Sequence, residues 1–288
     1  MRLIPVSFFL VCICLNAVGG TAWASSRSLI TFSGSQPVVL PARFVDGEIV
    51  LRVTINGRGL DFGVDTGANV MTIDPGVASQ LGLASEGSYV SVPSMQIGDV
   101  TLSGVALRKV ALGDSVGQSG PVKVVGLLGY DFLASGVFAL DLKRESLIVY
   151  PPGTAPLKDP ALQEVPAGKY GLLSVPVSFD GIEGRFILDT GAEDTEIYQH
   201  FLDKLPVHQM LGGYKTLNFV GSTVRGYAVE VRDLEFGGIT YETAAALIPE
   251  QRAEIPGFDG LIGRDVLQDY VLYIDYGHGA IFVKPNSQ

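Results

Sequence analysis

Residues 53–72 read VTINGRGLDFGVDTGANVMT, and residues 177–196 read VSFDGIEGRFILDTGAEDTE. The two segments align without a gap at an offset of 124 residues, and the turn Asn56-Gly57 is matched by Asp-Gly at the same place in the second copy. Such dipeptides between alternating apolar residues are strong signals of a tight β-hairpin turn. Each copy is therefore predicted to form a two-stranded hairpin, with DTGA at the end of its second strand.

The similarity continues beyond the DTGA motifs. GLLGYD at residues 126–131 corresponds to GLIGRD at residues 260–265, and each half then closes with an alternating strand. Two copies are too few for a repeat array, which needs three or more units to bury its faces. A single duplication instead suggests two lobes related by a pseudo-twofold axis, with a shared site at that axis.

The composition favours an all-β chain with many tight turns. The 288 residues include 36 glycines, and 47% are hydrophobic against 17% charged. Glycine suits turns and disfavours helix interiors, and short helices are expected only at residues 75–83 and 198–205. The net charge of −10, without basic clusters, argues against nucleic acid or an anionic membrane surface as a partner.

The amino-terminal segment has the pattern of a secretory signal peptide. Arg2 precedes an apolar run, and Ala22-Trp23-Ala24 forms an A-x-A cleavage site. The run is shorter than the ~20 apolar residues that span a bilayer. We therefore expect a signal peptide at residues 1–24, export to the periplasm or the exterior, and no integral membrane segment after cleavage. Both cysteines lie in this segment, so the mature chain is expected to have no disulfide.

The remaining chain is divided at a segment that disfavours regular structure. Residues 151–156 read PPGTAP, which is typical of a linker. The predicted organisation is an N-terminal extension at 25–37, a first lobe at 38–150, a linker at 151–164 and a second lobe at 165–288.

At the paired DTGA and Gly-apolar-apolar-Gly motifs the chain resembles the aspartic proteases. The second half, with DTGAEDT at residues 189–195, is similar to a retroviral-type protease in particular. The whole chain resembles a single-chain counterpart of that two-subunit enzyme, as the pepsins also are. The resemblance implies an all-β, bilobal fold of two retropepsin-like β-barrel lobes around a central cleft, and aspartic endopeptidase activity on extended peptides.

By this resemblance Asp65 and Asp189 form a catalytic dyad. Two carboxylates held about 3 Å apart cannot both ionise, so one keeps a proton while the other activates a water molecule. Ala68 and Ala192 follow the motifs where pepsins carry a hydroxyl that supports the ionised carboxylate. Without that hydrogen bond the pKa of the dyad should rise, which predicts activity in milder acid.

The resemblance also implies supporting residues around the dyad. The hydroxyls of Thr66 and Thr190 are expected to lock the two active-site loops together, and Gly67 and Gly191 to let the backbone approach the carboxylates. Arg264 resembles an arginine that forms a structural ion pair with an acidic residue after DTGA, here Glu193. In the first lobe those positions are Tyr130 and Asn69, so the pair is expected only once.

One segment of the second half resembles the flap hairpin that closes over the peptide in this family. Residues 212–231 read GGYKTLNFVGSTVRGYAVEV, whereas the first lobe is much shorter at this point. We therefore predict a full flap from the second lobe and a reduced or missing one from the first. Tyr214, Phe219 and Tyr227 are predicted to contact substrate, although aromatic residues of a hairpin more often pack across its strands.

Other chemistries have weaker support in the sequence. Residues 113–117 match G-x-S-x-G, but no helix-forming segment follows to build a nucleophile elbow. The three histidines, His200, His208 and His278, lack metal-ligand spacing. We expect no metal or organic cofactor and a monomer acting on a peptide or protein. The alternative that remains is a peptide-binding module that kept this fold and lost catalysis.

Overall fold

The computed structural model describes residues 30–286 apart from 33, 46, 113–121, 167–170, 207–208, 220–221 and 251–252. The predicted signal peptide, the G-x-S-x-G motif and His208 lie outside the described residues. No helix in these ranges is long and apolar enough to cross a membrane. The described chain is almost entirely β, in three sheets.

The first lobe is a nine-stranded sheet in which six strands close into a barrel. Its strands are β1 (Ile30–Phe32), β3 (Ala42–Val45), β4 (Glu48–Ile55), β5 (Arg58–Val64), β6 (Thr72–Ile73), β7 (Ala84–Glu86), β8 (Tyr89–Ile97), β9 (Val100–Lys109) and β10 (Val124–Leu128). The barrel follows the order β9, β6, β10, β5, β4 and β8, and β8 pairs with β9 to close it. Strand β1 belongs to the segment predicted as an N-terminal extension, yet it pairs with β9 as part of this sheet.

The second lobe repeats this arrangement with eight strands, six of which close into a barrel. They are β14 (Ser174–Phe179), β15 (Ile182–Leu188), β16 (Glu196–Ile197), β17 (Gln209–Met210), β18 (Lys215–Phe219), β19 (Ser222–Phe236), β20 (Ile239–Pro249) and β21 (Gly260–Ile262). The ring runs β14, β15, β21, β16, β20 and β19, closed by the pairing of β14 with β19. Both predicted β-barrel lobes are therefore present.

The third sheet joins the lobes, and its six strands come from both halves of the chain. They are β2 (Val38–Val39), β11 (Val137–Asp141), β12 (Ser146–Tyr150), β13 (Gln163–Pro166), β22 (Tyr270–Asp275) and β23 (Ala280–Pro285). Its centre is the antiparallel pairing of β11 with β22, which sets Phe138 opposite Ile274. Strand β13 includes the end of the predicted linker, so the linker docks on this sheet through β23.

The two predicted hairpin turns are present and have the expected backbone geometry. Asn56 and Gly57 have positive φ values of 49° and 74°, and Asp180 and Gly181 have 51° and 73°. Positive φ at both central residues is the requirement of a type I′ turn, whose twist matches that of the flanking strands. The turns thereby fix the register in which β5 and β15 run towards the lobe interface.

Four short α-helices lie in the part of the chain that the structure describes. They are α1 (Pro75–Gln80), α2 (Tyr130–Leu133), α3 (Gln199–Leu202) and α4 (Arg264–Leu267). Helix α1 begins at a predicted position, where Asp74 Oδ1 accepts from the N–H groups of Gly76 and Val77 at 2.9 and 3.1 Å. Helices α2 and α4 were not predicted, and each directly follows a Gly-apolar-apolar-Gly segment.

Candidate active site

Strands β5 and β15 end at the lobe interface, and each delivers one aspartate there. Strand β10 runs parallel to β5, and β21 runs parallel to β15. The Asp65 N–H donates to the Leu128 carbonyl at 3.1 Å, and the Asp189 N–H donates to the Ile262 carbonyl at 3.0 Å. The parallel strand behind each loop therefore sets the position of the aspartate backbone.

The glycine that ends each supporting strand allows this close approach. A methyl group on Gly129 would overlap the Ala68 carbonyl, and one on Gly263 would lie 2.6 Å from the Asp194 carbonyl carbon. Both added methyl groups would lie far closer than van der Waals contact allows, so only glycine fits behind the DTGA loops. The loops are consequently held by packed backbone on their inner side.

The side chains of Asp65 and Asp189 meet at the pseudo-twofold axis. Both are completely buried, and the carboxyl group of Asp189 packs against Gly67, whose N–H binds the carboxyl group of Asp65. Oδ1 of Asp65 accepts from the Gly67 N–H, and Oδ1 of Asp189 accepts from the Gly191 N–H, both at 2.8 Å. Oδ2 of each residue accepts nothing from the backbone or side-chain donors of the described chain. Each carboxyl group thus has one fixed oxygen and one available for chemistry.

Burial and mutual repulsion raise the proton affinity of the pair. Burial, followed by the negative charge of Asp189, holds the pKa of Asp65 well above its ordinary value. Burial also raises the pKa of Asp189, to about 6, although the Gly191 N–H and the Arg264 guanidinium act in the opposite direction. The two carboxyl groups therefore retain a proton between them through mildly acidic pH.

The threonines that follow the aspartates link the two loops directly. The Thr190 N–H donates to Thr66 Oγ1 at 2.9 Å, and the Thr66 N–H donates to Thr190 Oγ1 at 3.2 Å. The Thr66 hydroxyl donates in turn to the Leu188 carbonyl at 2.6 Å, across the axis. These reciprocal bonds place both threonines where the sequence predicts them.

The predicted ion pair between Glu193 and Arg264 is wrong. Within the described residues no ion pair joins the two, and the guanidinium instead donates to the carbonyls of Thr190 at 3.2 Å and Gly191 at 3.1 Å. Arg264 is only 7% exposed. A buried guanidinium must satisfy its donors locally, and the nearby carbonyls of the active-site loop provide acceptors. Arg264 is therefore attached to the catalytic loop itself.

The long hairpin of the second lobe is formed by β18 and β19, whose pairing runs from Lys215 opposite Gly226 to Phe219 opposite Ser222. In the first lobe, β7 and β8 pair over only three positions, which matches the expected reduced hairpin.

The aromatic residues of the long hairpin make contacts at its base. The rings of Tyr214 and Tyr227 pack edge to face with centroids 5.4 Å apart, and Arg225 lies over Tyr214. The Tyr227 hydroxyl donates to Gln199 Oε1 at 3.0 Å. Tyr214 is 60% exposed and is the more available of the two for contact with another molecule. The side chain of Phe219 lies outside the described part of the structure.

Two buried polar side chains near the dyad were not predicted. Glu196 is 1% exposed, its Oε1 has no hydrogen-bond partner, and burial raises its pKa to about 8. The hydroxyl of Tyr276 is likewise buried, and burial, followed by the charge of Asp65, raises its pKa. Comparison of the repeats could have identified Glu196 as buried, because it aligns with Thr72, which lies in a buried strand.

Comparison with known proteins agrees with this geometry. A family model described as aspartyl protease matches residues 175–266, and the model of the gag-polyprotein aspartyl protease matches residues 51–135. No curated protein matches the chain. Among solved structures, the chain is similar to basic 7S globulin from soybean, with a TM-score of 0.52 and 12% identity over 88% of this chain and 96% of that one. At that identity the likeness concerns the fold alone.

Each lobe thus matches an aspartyl-protease model through the segment that carries its DTGA motif, and the two lobes together form the bilobal β-barrel fold. Models of the aspartyl proteases thus match both halves of the chain, which is similar to the retropepsin-like and pepsin-like aspartic proteases and has both lobes on one polypeptide.

Proposed function

We propose that the protein is an aspartic endopeptidase that hydrolyses peptide bonds with a water molecule activated between Asp65 and Asp189. The observation that carries the proposal is the burial of the two carboxyl groups side by side at Gly67, each with one oxygen fixed by a glycine N–H and the other without a donor among the described residues. A pair that shares one proton supplies a base and an acid at the same point.

The proposed reaction needs no covalent intermediate. The ionised carboxylate takes a proton from water while the resulting hydroxide attacks the peptide carbonyl carbon. The protonated carboxyl group gives its proton to the carbonyl oxygen, which produces a neutral geminal diol. In the second step the first carboxyl group protonates the amide nitrogen as the C–N bond breaks, and the other takes a proton from one hydroxyl group. The products are an acid and an amine, and the dyad returns to its starting state.

A rigid dyad favours this chemistry. The threonine bonds across the axis and the glycine N–H donors hold the carboxyl groups without further reorganisation when charge moves. The peptide would lie extended between the lobes, where main-chain hydrogen bonds to strand edges give affinity and side-chain contacts give selectivity. A single chain supplies both aspartates, so the proposed site is complete in a monomer.

A peptide-binding module without catalysis is the second candidate. The short pairing of β7 with β8 favours it, because a reduced hairpin on one side would leave a bound peptide less enclosed. Intact aspartates, threonines and glycines in both loops favour the enzyme.

We also propose that the protein is exported to the periplasm or the exterior. The support is the sequence of residues 1–24, with its basic start, apolar run and A-x-A site. Amino-terminal sequencing of protein recovered from outside the cytoplasm tests this. A first residue near Ser25 is expected, and an intact Met1 would contradict the proposal.

The test of hydrolysis uses a denatured proteome as substrate. The purified protein would be incubated with it from about pH 3 to pH 7, and new peptide termini would be mapped by mass spectrometry. Two variants accompany it: Asp189→Asn removes one member of the dyad, and Asp180→Asn makes the same chemical change in a hairpin turn. Asp180 has a φ of 51°, a conformation that asparagine tolerates well.

New termini with the wild type and Asp180→Asn, but not with Asp189→Asn, would support the proposal. Termini that persist in Asp189→Asn would overturn it. Peptides that bind all three proteins and are cut by none would favour the binding module.

A further inference from the structure

An apolar cluster in the second lobe extends from the active-site loop to the long hairpin. At one end it contains Ala192, whose N–H donates to Asp189 Oδ1 at 3.2 Å. At the other end it contains Leu217 on β18 and Val224 on β19, which are paired across the hairpin. The cluster therefore connects the proposed dyad with the hairpin that is expected to close over a peptide.

The side chain of Glu196 points into this cluster. Successive side chains of a strand lie on opposite faces, and the next residue, Ile197, belongs to the main core on the other face. Glu196 is paired with Leu261 on β21 and with Leu247 on β20, and both leucines are members of the cluster. Residues paired across neighbouring strands lie on the same face. The carboxyl group is thus placed between two apolar side chains, on the face that carries the hairpin contacts.

This carboxyl group is buried without its full set of hydrogen bonds. Glu196 is 1% exposed, and its Oε1 has no partner among the described residues. Burial, followed by the negative charges of Asp189 and Asp194, raises its pKa to about 8. A polar group that is buried without a partner costs free energy. A ligand that brings a hydrogen-bond donor to this point would recover that cost.

The aligned residue of the first lobe is satisfied within its own sheet. Thr72 is paired with Leu127 in the same register that joins Glu196 to Leu261. Thr72 is also buried, but its Oγ1 accepts the Leu127 N–H at 3.1 Å. The two lobes therefore differ at this position, and only the second has a carboxyl oxygen that lacks a partner here.

We propose that Glu196 forms the base of a side-chain pocket in the second lobe, which binds a lysine or arginine side chain of the peptide. The aliphatic part of that side chain would pack against Leu247 and Leu261, and its charged end would donate to the Glu196 carboxyl group. The assignment of this ligand rests on the proposed function, which supplies the extended peptide. Glu196 is then a specificity-determining residue of the cleft.

A cation suits this pocket better than the other kinds of side chain. An apolar side chain would leave the carboxyl group without a partner, and an acidic one would add a negative charge near Asp189 and Asp194. Lysine and arginine combine a long apolar stem with several donors. Their charge also favours the ionised form of Glu196, so the carboxyl group would release its proton as the side chain binds.

Entry to the pocket involves the hairpin. Leu217 and Val224 are 1% and 4% exposed, so they are packed into the cluster in this structure. A long side chain that enters must displace them, and the hairpin would lift as the peptide binds. Because Thr72 is already bonded in the first lobe, the selection for a basic residue should act on one side of the cleaved bond only.

Selection from a peptide library tests the pocket without any cleavage. Immobilised Asp189→Asn protein would be exposed to an equimolar library of short randomised peptides, and the bound peptides would be sequenced by mass spectrometry. Lysine and arginine are expected to be enriched at one position, and Glu196→Gln in the same background should abolish the enrichment. Glu183→Gln, the same change at an exposed position of β15, is the matched control. The absence of enrichment, or its survival in Glu196→Gln, would overturn the inference.

Kinetics on a matched pair of peptides separates selectivity from a structural role. The two peptides carry lysine or norleucine at the selected position, and norleucine has a similar apolar stem without the charge. The ratio of their kcat/KM values should fall by about 10- to 100-fold in Glu196→Gln, the range expected for one hydrogen bond to a charged group. A structural defect would lower both values equally. An unchanged ratio would therefore contradict the inference.

The pocket and the proposed peptidase activity can fail separately. Selection of basic peptides that depends on Glu196, in a wild-type protein that cuts none of them, would support the pocket and contradict the proposed function. Cleavage of peptides with no preference for a basic residue would contradict the pocket and leave the peptidase activity established. Glu196→Gln imitates the protonated acid that the folded protein already holds, so the variant is expected to fold.

Discussion

Thr66 and Thr190 exchange hydrogen bonds across the pseudo-twofold axis, each hydroxyl oxygen accepting the N–H of the other residue, at 2.9 and 3.2 Å. Both residues are buried, so no solvent can replace a lost partner. These hydrogen bonds couple the stability of the lobe interface to the geometry of the dyad, because each threonine directly follows a proposed catalytic aspartate. Its disruption should affect folding and activity together.

Replacement of Thr66 by valine tests this coupling. Valine has the shape of threonine but no acceptor, so the Thr190 N–H would be left buried without a partner. The free energy of unfolding should fall by about 1–3 kcal/mol, as measured by urea denaturation. Thr66→Ser retains the hydroxyl and should stay closer to the wild type. A Thr66→Val variant as stable as the wild type would contradict the predicted contribution of the hydrogen bonds.

The pH dependence of hydrolysis follows from the two aspartates. The base must be ionised, and burial raises the pKa of Asp189 to about 6, so kcat/KM should fall about tenfold per pH unit below that value. Activity should also decline at higher pH, where Asp65 loses its proton. A pH–rate profile on a peptide identified from proteome digestion measures both limbs. Circular dichroism at each pH controls for unfolding, and maximal activity near pH 3 would contradict the prediction.

Gly67 lies against the opposite carboxyl group, and its substitution should disable the site. A methyl group at this position would stand 2.5 Å from Asp189 Cγ, so the carboxyl group must move. Gly67→Ala is expected to reduce kcat/KM by 100-fold or more, since displacements of about 1 Å have effects of that size. Gly34 has open space around it, and Gly34→Ala is the matched control. Comparable activity of the two variants would refute the predicted overlap.

Local patterns predicted the parts of the fold that local chemistry determines. The type I′ turns, the two DTGA loops and the strands before them depend on neighbouring residues, and the repeat made each pattern visible twice. The sheet between the lobes depends on pairings such as Phe138 with Ile274, over a hundred residues apart, which no local pattern specifies. Helices α2 and α4 have four residues each, too few for a helical periodicity to be recognised.

The polar partners around the site were the least predictable from sequence. Arg264 was expected to pair with Glu193 because it resembles the family arginine that pairs with an acidic residue after DTGA. Its actual acceptors are backbone carbonyls, which every residue has and which no sequence pattern distinguishes. Which acceptors the Arg264 guanidinium reaches depends on where it is buried, and that burial follows only from the packed fold.

Glu196 should make stability depend on pH, because it is a carboxyl group buried near Asp189. Burial raises its pKa from an ordinary 4.5 to about 8. A raised pKa in the folded state means that the folded protein holds this proton more tightly than the unfolded chain does. The contribution to stability is therefore complete below about pH 4.5 and is lost as the pH rises towards 8.

Glu196→Gln imitates the protonated acid at every pH. Its free energy of unfolding should be close to that of the wild type near pH 4.5 and should exceed it at pH 8 by a few kcal/mol, an order of magnitude set by the size of the pKa difference. Urea denaturation at the two pH values measures the change, with Glu183→Gln at an exposed position as control. If the two variants show the same dependence on pH, Glu196 is ionised in the folded protein and has a partner that compensates its charge.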